Sequence, residues 1–96
     1  MSAKGLEIRR MLVLSTAHLP ESLYNEPSEI GSPVYPTEHG LIAWVPDDPI
    51  ESAAASVDGV APEILAVQRF ARGVNCDYVF FDSDGPKVDG LPEWEW

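Results

Sequence analysis

The sequence predicts a small α+β fold: a two-layer sandwich with a four- to five-stranded, mostly antiparallel sheet and one main covering helix. Three observations lead there. Runs of aliphatic, β-branched and aromatic residues at Met11–Leu14, Val34–Val45 and Tyr78–Phe81 are separated by Pro, Gly and Asp clusters, the signature of short strands. Residues 61–72 instead space their apolar side chains at helical intervals. The 96 residues suffice for one domain with a modest core.

In chain order, residues 1–8 read as a flexible arm and 9–96 as the domain. Residues 9–15 form the first strand. Met11 to Leu14 are apolar on both faces, which predicts an inner place in the sheet. His18 follows at the strand end and is expected to cap or pack. Pro20 and Glu21 favour one or two helical turns, which Pro27, Gly31 and Pro33 interrupt. Val34 to Val45 read as a hairpin turning at Glu38-His39-Gly40, with Gly40 free to take positive φ and His39 at the exposed tip. Pro36 puts the first arm at a sheet edge. Residues 50–59 are a weak helical turn or a loop. The clearest helix runs from Ala61 to Arg72: Pro62 and Glu63 suit its start, Gly73 its end, and Ile64, Val67 and Ala71 form a stripe that Leu65 and Phe70 widen. The last strand spans Cys76 to Phe81. Val88 to Leu91 are expected to return as a short strand.

Sixteen acidic residues against six basic ones give a net charge of -10. Such a chain repels nucleic acid, whose binding needs basic surface, and attracts basic partners. The single cysteine, Cys76, excludes an internal disulfide and a Cys-rich zinc site. No apolar run approaches the roughly 20 residues of a membrane span, and no hydrophobic leader is evident. The expectation is a cytosolic protein with neither membrane nor nucleic-acid contact.

Charge and aromatic residues concentrate in the last twenty positions, which hold six acids, one base (Lys87) and two of the three tryptophans. Val79 to Gly85 resemble the first motif of haloacid-dehalogenase-type phosphotransferases, an apolar strand followed by Asp-x-Asp-Gly. That resemblance would make Asp82 a nucleophile and Asp84 an acid-base group. In that family, however, the motif opens a long α/β domain that supplies a distant lysine, whereas only eleven residues follow Gly85 here and Pro86 replaces the usual Thr. An acidic turn is the expected reading. Asp82, Asp84 and Asp89 are a second possibility as a divalent-cation site, but the bidentate Glu of an EF-hand loop is missing. No catalytic triad or phosphate loop follows from spacing, so no catalytic residue, metal or cofactor is expected. Trp94 and Trp96 alternate with Glu93 and Glu95, so the rings either close the sheet's open end or form a contact surface.

Residues 11–96 as a whole resemble a group of small proteins of unknown function carried on bacterial plasmids, phages and integrative elements. The strings that carry this are Met11 to His18, Tyr35 to Pro46, and Phe81 to Pro86 with Val88 to Pro92. The resemblance implies a mobile-element accessory protein, a setting that often encodes inhibitors of host defence, acidic proteins that mimic DNA among them. The sequence therefore predicts a non-enzymatic acidic binding protein of the anti-CRISPR or antirestriction type. It would occupy a basic, nucleic-acid-handling surface through Asp82, Asp84, Asp89, Glu93, Trp94 and Glu95. The alternatives are a small metal-dependent phosphotransferase or hydrolase using Asp82 and Asp84, and a structural module whose acidity serves solubility.

Overall fold

The computed structural model describes residues 7–55 and 59–94. Strand β1 (Met11–Ser15) leads into a 3-10 turn at Thr16–His18, the short helix α1 (Glu21–Asn25) and a second 3-10 turn at Pro27–Ile30. The hairpin β2 (Val34–Thr37) and β3 (Gly40–Trp44) follows, then helices α2 (Pro49–Ala55) and α3 (Pro62–Gly73) and strand β4 (Tyr78–Asp82). The four strands form one sheet in the order β1-β4-β3-β2, with β1 parallel to β4 and the other two pairings antiparallel.

The helical stripe packs as its spacing requires. Ile64, Val67 and Ala71 of α3 are buried in one cluster with Leu14, Leu41, Ala43, Val79 and Phe81, which alternation and register put on one face of the sheet. Leu19, Leu23 and Ile30 extend the cluster from the β1–β2 connection. The C-terminal end of α3 is fastened by Arg72. Its Nε donates to Pro46 O at 2.8 Å, one terminal nitrogen to Val45 O at 2.7 Å, and the other to Asp77 Oδ1 at 2.7 Å. One guanidinium thus ties the helix to the end of β3 and the approach to β4. Its charge-assisted bonds satisfy two backbone carbonyls that no strand partner reaches.

Three expectations are corrected. First, β1 is an edge strand rather than an inner one. Its second apolar face is left uncovered by the described residues, with Met11 and Val13 exposed. Second, Gly40 is not at positive φ. It is needed because β4 passes so close that a Cβ there would lie 1.8 Å from Phe81 O. Gly85 is alike, with a Cβ 2.4 Å from Leu14 O. Third, Val88 to Leu91 form a turn and not a return strand: Gly90 takes φ +93, and the Leu91 N–H donates to Val88 O at 3.4 Å. That positive φ at the third residue bends the chain where a strand would need it extended.

Candidate functional site

The C-terminal segment is a strap laid over the end of β1. The Ser15 N–H donates to Pro86 O at 2.8 Å and the Trp94 N–H to Ala17 O at 2.7 Å. Between them sits His18, 1 % exposed. The Val88 N–H reaches its Nε2 at 2.8 Å, and its Nδ1 is 2.8 Å from Pro92 O. A backbone N–H can only donate, so Nε2 is the acceptor and the ring proton sits on Nδ1, where it donates to the carbonyl. His18 packs, as its isolation from other metal-binding side chains predicts, and both ring nitrogens are used in holding the strap.

At this end of the sheet the acidic turn meets a second one. Gly40 pairs with Asp82, and the Ser83 N–H donates to His39 O at 2.9 Å, so the hairpin tip carrying Glu38 adjoins Asp82 and Asp84. Asp82 Oδ1 accepts from the Asp84 N–H at 3.0 Å, and its carbonyl accepts from the Gly85 N–H at 2.9 Å, a local side-chain-to-backbone turn. No ion pair engages Asp82, Asp84 or Asp89 among the described residues. No three His, Cys, Asp or Glu side chains among the described residues are grouped to hold a metal, the set of Asp82, Asp84 and Asp89 included. Glu93 is paired with Lys87 at 3.3 Å. Trp94 is 37 % exposed and lines a shallow depression with Ser15, Thr16 and Ala17. Glu95 and Trp96 lie outside the described residues.

The opposite end of the sheet is charge-compensated. Arg9 pairs with Glu7 and lies 3.8 Å from Asp77, and Arg72 reaches both Asp77 and Asp47. The Arg72 hydrogen bond holds the Asp77 carboxyl below its ordinary range, aided by the Arg10 N–H and the Arg9 charge and opposed by desolvation. The carboxylate of Glu7, hydrogen-bonded to Arg9, raises the Arg9 guanidinium above its usual value. Both guanidinium groups also stack on Trp44, at 5.2 and 5.9 Å from its ring.

A surface that sequence reasoning missed lies between these ends. The register places Met11, Val13, Tyr78 and Phe80 on one face with Ile42, Trp44 and Tyr35, the face turned away from α3. Tyr35 is 52 % exposed, and Trp44 meets Tyr78 edge-on at 5.3 Å between ring centres. The signal was in the sequence: residues 11–14, 41–45 and 78–81 are apolar at every position. That pattern predicts burial on both sides, and it is silent on whether this chain supplies the second layer.

Residues 11–96 match a family described as a family of unknown function (DUF5983), C-terminal domain. The chain belongs to that family. The match opens at Met11, the first residue of β1, so all four strands of this DUF5983 domain and both acidic turns fall within it, while Arg9 lies before it. No curated protein and no solved structure gives a significant match. None of the described helices is long and apolar enough to cross a membrane.

Proposed function

We propose that the chain is a non-enzymatic acidic binding protein. Its partner is a basic protein surface of the kind that handles nucleic acid, as in the host defence complexes that mobile elements must evade. The observation that supports this reading is the meeting of two acidic turns: Glu38, Asp82 and Asp84 stand at one end of the sheet with no cationic side chain but the neighbouring His39 paired to them among the described residues. Carboxylates so placed add their fields and steer a basic partner. By covering such a surface the protein would exclude the nucleic acid that normally occupies it. Trp94, half out of the strap beside Ala17, supplies an aromatic anchor next to the charge.

The test is capture of partners from a bacterial host lysate, followed by association kinetics against salt. The wild type should associate fast at low salt and slow steeply as ionic strength passes about 0.1 M, where exposed charges more than about 10 Å apart are screened. The variant combining Glu38→Gln, Asp82→Asn and Asp84→Asn should associate slowly at every salt. Equal rates for the two proteins would remove the acidic turns from the interface.

A further inference from the structure

The uncovered side of the sheet is a larger feature than the acidic turns explain. The buried apolar residues of α3, Ile64, Val67 and Ala71, all join the cluster on the other side. On this side Met11, Val13 and Tyr35 are 44, 40 and 52 % exposed, with Ile42, Trp44 and Phe80 half-buried between them. A sheet face so apolar is normally buried against another layer, and contiguous apolar surface of this kind marks an interaction site.

We propose that this face docks an amphipathic helix of the partner protein, apolar where it lies on the sheet and basic where it reaches the Glu38 and Asp82 end. The basic half of this statement rests on the function proposed above; the apolar half rests on the sheet alone. The dimensions agree. Four strands about 4.8 Å apart, of four or five residues each, present a face of roughly 15 by 17 Å. A helix about 10 Å across and about 12 residues long spans it. The platform is preformed, since Trp44 is held by Tyr78 at its edge and by Arg9 and Arg72 at its ring, so little ordering accompanies binding. Charge selects a foreign helix over a second copy. Two copies would bring together net charges of -10 each, and the cations nearest the face, Arg9 and Arg72, are already engaged by Glu7, Asp47 and Asp77.

The probe is a synthetic peptide of about 14 residues with Leu at helical spacing and Lys elsewhere, beside a scrambled peptide of equal composition that lacks the stripe. Each is titrated into the full chain at about 0.15 M salt and followed by amide NMR. The striped peptide should shift the amides of Val13, Ile42 and Phe80 and bind about tenfold tighter than the scrambled one. Val13→Glu and Tyr35→Glu, each at an exposed site on a different edge strand, should each remove most of that advantage without changing the unfolding curve. Asp82→Asn with Asp84→Asn should weaken both peptides alike. Equal binding of the two peptides at the acidic turns would overturn the docking face and leave the acidic reading standing. Binding of neither would overturn both. A free protein that sediments as a dimer, and becomes monomeric on Val13→Glu, would overturn the proposal in favour of a second copy.

Discussion

His18 Nδ1 lies 2.8 Å from Pro92 O, an oxygen 74 positions further along the chain, and this bond helps to set where the C-terminal strap runs. The ring is fully enclosed and both its nitrogens are used, so the contact has no substitute in the surrounding apolar side chains.

Replacing His18 by Ala should therefore cost about 2–4 kcal/mol, from the cavity and the two backbone groups left unpaired. The strap should loosen with it. Urea unfolding gives the first quantity. Trypsin cleavage after Lys87 gives the second and should be much faster in the variant; unchanged cleavage would mean the other strap bonds suffice.

Asp77 should couple stability to acid. Its folded carboxyl is held below the ordinary value by Arg72, so the stabilisation is complete above about pH 4 and disappears as pH falls through the lowered folded value. Asp77→Asn should thus be less stable than wild type at pH 6, and the gap should close as pH drops below about 4. Parallel stability curves for the two proteins from pH 6 to pH 3 would contradict the assignment.

Glycine substitutions should separate close approach from flexibility. Gly40→Ala and Gly85→Ala both drive a methyl group into neighbouring backbone, which cannot swing aside, and should each cost roughly 3 kcal/mol or prevent folding. Gly73→Ala meets nothing within 4 Å and ends α3 without a positive φ. It should be neutral or stabilise by up to about 1 kcal/mol. Thermal melts of the three variants decide this.

Asp82→Asn should leave activity toward phosphate esters at background, with or without magnesium. The side-chain oxygen of Asp82 is engaged by the Asp84 N–H, and the described residues group no further acids into a cation site around it. Asn keeps an oxygen for the same bond, so the fold should survive. A magnesium-dependent turnover lost in this variant would instead promote the phosphotransferase reading.

By itself the sequence determined the fold class and most of the elements, though not the helix at Pro49–Ala55 or the turn at Val88 to Leu91. The stripe at Ile64, Val67 and Ala71 fixes a helix because 3.6-residue spacing puts those side chains on one side, and Pro36 confines its strand to an edge because it has no N–H to offer. His18 could be expected to pack because no second metal-binding side chain stands near it. Tertiary structure decided what each apolar face meets. Met11 to Leu14 look like an inner strand, since a local pattern records which residues avoid water and not which neighbour covers them; only the order β1-β4-β3-β2 leaves Met11 and Val13 open. The same holds for Gly40. Turn chemistry suggests conformational freedom there, but its requirement, like that of Gly85, is the passage of a backbone distant in sequence. The joining of Glu38 to Asp82 and Asp84 is likewise a product of register, a long-range choice made by the whole core and written in no single stretch of chain.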